Sequence, residues 1–246
     1  MLDAGSSAAH ARSFLDGVRE LGVEPPRLVA LTHSHWDHVF GAAELDALVV
    51  THVGTAAYLA DAAKLDWSDE ALEQRLTAGE VTQFHVDNVR QELPAPRDVR
   101  IARADIVFRD SLTFDLGDVT VRVRHEENDH TDDGSVMFVD PDRVLFVGDA
   151  LCDSPDGRLT TGLVFPLLDA LLAFGAEHVV EGHNETVMSR TEFEELAGKL
   201  RQAGKLVGRV GPDEGVILAE LGGRAEDDTG DIVRAFVRGR AQENPG

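Results

Sequence analysis

Cysteine is almost absent from this chain. A single one, Cys152, among 246 residues excludes an intrachain disulfide and fits a reducing compartment. Positive charge is scarce too: 23 Lys and Arg face 45 Asp and Glu, a net charge of −22 with histidine neutral. Such a surface repels phosphate backbones and anionic lipid, so no nucleic-acid partner and no membrane partner is expected. No apolar run of about 18 residues is found, and no basic-then-apolar segment opens the chain, so neither a membrane span nor a signal peptide is read. Tyrosine occurs once, at Tyr58. What remains is a cytoplasmic protein with a small-molecule partner, whose Ala- and Arg-rich, Lys-poor composition suggests a bacterial source. Its length allows one full-sized core.

What the chain does have is a dense cluster of histidine. The run Thr32-His33-Ser34-His35-Trp36-Asp37-His38 places three imidazoles and a carboxylate within six residues. Before it lies the apolar stretch Leu28 to Leu31, which reads as a buried strand, so the cluster sits on the loop leaving a strand's carboxyl end, where α/β proteins gather their sites. Imidazole nitrogen and carboxylate oxygen suit Zn²⁺ and similar borderline ions, and two histidines one residue apart can converge on one ion. The following Asp37-His38 pair can serve a second.

One cluster cannot complete two coordination spheres, which directs attention to later strand ends. His130 follows the alternating strand Val119 to Arg124 and precedes the strand Ser135 to Val139. Asp149 ends the strand Arg143 to Val147 through Gly148, and His183 ends Val179-Val180-Glu181 through Gly182. A glycine at each of these junctions lets backbone and ion approach closely.

With these residues in order, the chain resembles the metallo-β-lactamase-fold hydrolase superfamily. Its HxHxDH motif corresponds to His33, His35, Asp37 and His38, its third histidine to His130, its bridging aspartate to Asp149 and its last histidine to His183. Asp3-Ala4-Gly5 resembles the family's Asp-x-Gly element. Five ordered motifs across residues 3 to 183 carry far more than HxHxDH alone. The resemblance implies two divalent ions, Zn²⁺ foremost with Fe or Mn as other choices. His33, His35 and His130 would hold one ion and Asp37, His38 and His183 the other, with Asp149 and a nucleophilic hydroxide bridging them. It also implies a four-layer αββα sandwich of two mixed sheets. The function expected is metal-dependent hydrolysis of a small ester, lactone or related substrate, with Asp37 as ligand and proton handler.

Other readings compete. A strand-end HxH also opens the metal site of (β/α)₈ amidohydrolase barrels, but consecutive strands joined by turns in mid-chain disfavour a barrel. Flavodiiron oxidoreductases resemble a version with Glu where this chain has His35. A mononuclear-iron persulfide-dioxygenase-like enzyme and a metal-binding but non-catalytic scaffold remain as alternatives. The chain has Asn128-Asp129 where the family commonly has Pro-Gly before the third histidine, which makes His125 the understudy for His130.

His52 is read as a pocket, ligand-supporting or capping group, and Tyr58 as a candidate oxyanion donor on a lid. His10, His85 and His178 are read as surface or packing residues. Cys152 reads as a small buried hydrophobe, and the acidic run Glu126, Glu127, Asp129, Asp132 and Asp133 as a solvated loop.

The pattern predicts a metallo-β-lactamase-like domain over 1–210 and a helical extension over 211–246 packed on it. Within the domain, Ser6 and Ser7 cap a first helix whose apolar stripe is Phe14, Leu15, Val18 and Leu21, ended by Gly22. A helical insert over about 55–92 has Ser68 as an N-cap. Strands fill 105–148, and helices follow near 163–174 and 191–207. Because the chain opens at Met1-Leu2-Asp3, the first sheet is expected to be short, with self-association as one way to cover its edge.

Overall fold

The computed structural model describes residues 1–223 and 228–243; residues 224–227 and 244–246 of the expected extension lie outside the described residues. The chain forms two compact units, Met1–Arg109 and Asp110–Gly246.

The first unit is built on a parallel sheet in the order β1-β2-β3, comprising Leu28–Ala30, Leu48–His52 and Ile106–Phe108. Val29 faces Val49, and Val50 faces Ile106. Residues Met1 to Asp3 run beside β1: Ala30 N–H donates to Met1 O at 3.0 Å, and Asp3 N–H to Ala30 O at 2.9 Å. Helix α1 (Ala8–Glu20) starts where Ser7 Oγ accepts from His10 N–H, and Gly22 follows its end in the left-handed region. Along its apolar stripe Leu15 packs against the unit's core and Val18 is half-buried, whereas Phe14 is 42% and Leu21 80% exposed. An amphipathic period shows that a helix has an apolar face, not that something covers it.

Between β1 and β2 lie the one-turn helix α2 (Trp36–Val39) and a 3₁₀ turn, Phe40–Glu44. Between β2 and β3 the expected insert appears as α3 (Val53–Ala62), α4 (Asp69–Thr77) and α5 (Gln83–Glu92). Ser68 caps α4 by accepting from Ala71 N–H at 3.2 Å. Leu59, Trp67, Leu72, Val86 and Val89 pack into one core with Val29, Leu31 and Val49. Each such side chain stabilises the unit by about 1.5–3 kcal/mol. The insert is therefore part of the core, while Leu65 and Phe84 stay outside it.

The second unit carries a six-stranded sheet in sequence order: β4 (Ser111–Asp115), β5 (Thr120–His125), β6 (Ser135–Asp140), β7 (Val144–Gly148), β8 (His178–Glu181) and β9 (Met188–Ser189). All neighbours are antiparallel except β7 and β8, which are joined by the crossover helix α6 (Thr161–Leu172) and run parallel. Gly148 therefore pairs with Glu181, and the residues just beyond, Asp149 and His183, leave the sheet at the same edge. Helix α7 (Arg190–Val210) begins with a capping box in which Ser189 and Glu192 satisfy each other's backbone N–H groups. Helices α8 (Glu214–Leu221) and α9 (Asp228–Glu243) follow. Ile217, Val233 and Phe236 join the core of Leu145, Leu168, Val179 and Leu200, so the described part of the extension is continuous with this unit's interior.

Candidate metal centre

In the first unit the residues of the HxHxDH loop are locked by Asp3. Its Oδ1 accepts from Thr32 N–H at 2.7 Å; its Oδ2 accepts from Thr32 Oγ1 at 2.7 Å and from His38 Nδ1 at 2.8 Å. A carboxylate only accepts, so His38 carries its proton on Nδ1 and turns the Nε2 lone pair outward. The same reasoning reaches His33. Thr32 gives its one hydroxyl proton to Asp3, so it can only accept from His33 Nδ1, 3.0 Å away, which again puts the ring's lone pair on Nε2.

The three rings crowd together: His33 lies 4.6 Å from His35 and 4.1 Å from His38 between centroids. Asp37 Oδ2 stands 3.8 Å from His38 Nε2. His33 and His38 are buried, at 1% and 4% exposure. Three clustered imidazoles and one carboxylate form a donor set of the kind a borderline cation prefers.

The strap that brings Asp3 here requires a glycine. Ala4 N–H donates to His38 O at 2.8 Å and Gly41 N–H to Gly5 O at 2.9 Å. A Cβ on Gly41 would stand 2.0 Å from Ala4 O, so any side chain there would drive Asp3 away from the loop.

In the second unit, His130, Asp149 and His183 come together at the carboxyl edge of β7 and β8. Asp149 Oδ2 lies 3.1 Å from His183 Nε2 and 3.5 Å from His130 Nε2. His130 Nδ1 donates to Asp153 O at 2.8 Å, which puts the ring proton on Nδ1 and the lone pair on Nε2. Asp149 is 5% exposed, and the His183 side chain is 60% exposed.

The loop presenting His130 explains the departure from Pro-Gly. Asn128, 4% exposed, accepts at Oδ1 from both His130 N–H and Thr131 N–H at 3.0 Å, and donates through Nδ2 to Glu126 O at 2.9 Å. Asp129 accepts from Thr160 N–H at 2.8 Å and Thr160 Oγ1 at 2.9 Å, tying the loop to the start of α6. Burial pushes its carboxyl up from the usual range, with the Thr160 bonds opposing that. The expected solvated loop is thus only partly so. Glu127 and Asp132 are exposed, but Asp133 is buried, and Glu126 pairs with Arg124. A run of like charges in sequence does not reveal which members have backbone partners.

The remaining sequence candidates make contacts of other kinds. His125 binds Gly134 O through Nδ1 at 2.8 Å, closing the β5–β6 hairpin, so His130 and not His125 stands beside Asp149. His52 caps α3, its Nδ1 accepting from Gly54 N–H at 3.2 Å. Tyr58 is half-buried on the flank of the first unit's core. Burial, then the nearby Asp149, Glu181 and Asp153, pushes the Cys152 thiol up to about 12. His10 accepts at Nδ1 beside Ser6. His85, read from sequence as a surface or packing residue, lies edge-on against Trp36 in the ligand loop. No sequence spacing signals that contact, because it depends on how α5 docks.

No curated protein sequence matches the chain. Among solved structures, a metallo-β-lactamase family protein from Thermus thermophilus matches with a TM-score of 0.56 at 19% identity, over 98% of this chain and 84% of that one. A metallo-β-lactamase from Pontibacter korlensis matches with a TM-score of 0.54 at 19% identity, over 80% and 79%. A stereoselective inverting sec-alkylsulfatase from Pseudomonas sp. matches with a TM-score of 0.60 at 15% identity, over 96% of this chain but 42% of that one. These likenesses establish the shared mixed α/β fold. The profile of the metallo-beta-lactamase superfamily matches residues 1–210, and with that match the chain belongs to this superfamily.

Proposed function

We propose that this protein is a dinuclear metal-dependent hydrolase acting on a small ester, lactone or related substrate, with Zn²⁺ as the natural pair of ions. His33, His35 and His130 are assigned to one ion; Asp37, His38 and His183 to the other; Asp149 to both. The observation that carries this reading is the state of the imidazoles. Asp3, Thr32 and the Asp153 carbonyl each engage an Nδ1, so that His38, His33 and His130 offer Nε2. In metal sites an acceptor of this kind fixes the tautomer and ring orientation of a ligating histidine, and here it does so for three rings of the assigned set.

When bound, a divalent pair acidifies a shared water toward neutral pH and polarises the substrate oxygen beside it. The chain's own residues supply the rest. Asp3 holds the loop rigid. Asp37 is half-buried on the one-turn α2 and keeps a carboxylate oxygen with which to take a proton and return it to the leaving group. The chemistry needs no serine or cysteine nucleophile, and the raised Cys152 thiol is consistent with that.

The acidic composition favours a neutral substrate over a polyanion, with a net charge of −22. A cytoplasmic, bacterial setting and a small-molecule partner are proposed on the same compositional grounds. No helix among the described residues is long and apolar enough to cross a membrane.

The test is turnover by zinc-loaded protein on esters, lactones, thioesters, β-lactams and phosphodiesters. Hydrolysis of a neutral ester or lactone is expected. One tightly held iron with persulfide-dependent oxygen uptake would replace this reading with the dioxygenase one, and bound zinc with no turnover on any class would leave only a metal-binding scaffold.

A further inference from the structure

Helix α9 lies beyond residues 1–210, which the superfamily profile matches, yet it is tied to the loop that presents His130. The tie is the segment 153–160, between β7 and α6. Its two ends hold the surroundings of His130. Asp153 O accepts from His130 Nδ1 at 2.8 Å, and Thr160 donates to the Asp129 carboxylate from its N–H at 2.8 Å and from its hydroxyl at 2.9 Å.

Between those ends the segment rests on α9. Leu159 N–H donates to Ala235 O at 3.1 Å, and Arg238 Nη1 donates to Gly157 O at 3.3 Å. Gly239, one turn after Ala235, is buried where backbone meets backbone: a Cβ there would stand 2.0 Å from Leu159 O and 2.8 Å from Leu159 C. A glycine inside a helix need not touch anything, and a Cβ on Gly198 or Gly208 of α7 would meet open space. At Gly239 no side chain fits. Leu159 O and Thr160 N–H belong to one planar peptide, so a push on the carbonyl turns the N–H that Asp129 accepts. Asp129 is the residue before His130, and the contact therefore reaches the imidazole through two hydrogen bonds and one peptide plane.

We propose that α9 positions His130 for its ion, with Gly239 as the positioning residue that seats the Leu159–Thr160 peptide on Asp129. This rests on the reading that assigns His130 to an ion.

The test measures zinc affinity by chelator competition for Gly239→Ala, Arg238→Ala, Thr160→Val and Thr160→Ser, with Ile217→Val as a packing change elsewhere in the same core. Each is made in His183→Ala, which keeps the ion assigned to His130, and in His35→Ala, which keeps the other. Gly239→Ala and Thr160→Val are expected to weaken zinc roughly tenfold or more in the first background and little in the second. Thr160→Ser and Ile217→Val should leave both unchanged. Arg238 is exposed, so Arg238→Ala keeps the fold and should show a smaller loss of the same selectivity. Combined with Asp129→Ala, Gly239→Ala should add nothing, because both break one link. Hydrogen exchange of zinc-free protein should show faster exchange at the Thr160 and His130 amides in Gly239→Ala and Arg238→Ala, with Val179 in β8 unchanged. Equal losses in both backgrounds, full additivity with Asp129→Ala, or unaltered exchange at Thr160 and His130 overturns the proposal. If wild type takes up no zinc, the metal reading fails, and the exchange rates decide the role of α9 on their own.

Discussion

The Asp3 carboxylate accepts a hydrogen bond from His38 Nδ1 at 2.8 Å across 35 residues of sequence. The same carboxylate thus sets the tautomer of His38 and, through the bond it accepts from Thr32 Oγ1, that of His33. Replacing Asp3 with Ala is expected to lower affinity for the ions held through His33 and His38 by roughly 10–100-fold, with Asp3→Asn intermediate because its amide still accepts at one atom. Competition with a zinc chelator measures it. Unchanged affinity in Asp3→Ala would show that the loop holds its own geometry.

Asn128 makes the second prediction. Its side chain satisfies three backbone groups from a buried position, so Asn128→Ala strands them at a cost of about 1–3 kcal/mol. At this chain length each kcal/mol corresponds to roughly 2–4 °C in Tm. Thermal denaturation should show the loss, and zinc uptake should weaken alongside it, because the same side chain fixes the backbone of His130. A variant with unchanged Tm would mean that water replaces the amide at no cost.

These two residues mark the limits of what the sequence shows. His33, His35, Asp37 and His38 are legible because a ligand cluster follows directly on an apolar strand. Asp149 and His183 are legible because a glycine precedes each at a strand end. The part played by Asp3 is legible only as a resemblance, since its partners Thr32 and His38 are distant in sequence. Asn128, Asp129 and Asp133 are hidden inside a charge run whose hydrogen bonds depend on the turn they build. The contact of His85 with Trp36 is fixed by helix docking, to which periodicity is blind. In α1 the apolar period is legible, but not which of its members are covered: Leu15 packs on the core while Phe14 and Leu21 are exposed.

The third prediction concerns pH. The folded protein holds Cys152 protonated to about 12, above the ordinary 9.0 of a thiol. The folded state thus binds more protons between those values, so the contribution of Cys152 to stability is intact below about pH 9 and is lost as pH rises toward 12. Wild type should lose more Tm between about pH 8 and about pH 10 than Cys152→Ala does, and iodoacetamide should leave the native thiol unmodified at about pH 8. Rapid alkylation of the folded protein would contradict the assignment.

Asp37 makes the fourth. Asp37→Asn keeps the shape and one donor oxygen but removes charge and basicity. On the substrate identified by turnover it should lower kcat by roughly 10²-fold or more while KM changes little. A variant that retains its metal and nearly full turnover would make Asp37 a ligand only and move the proton-transfer role to another group.

The most direct measurement of the central claim is metal stoichiometry by native mass spectrometry. Zinc-loaded wild type is predicted to carry two ions per chain. His35→Ala and His183→Ala should each carry one, and each should retain the ion that the other loses. A single ion in the wild type, unaffected by either substitution, would contradict the dinuclear account.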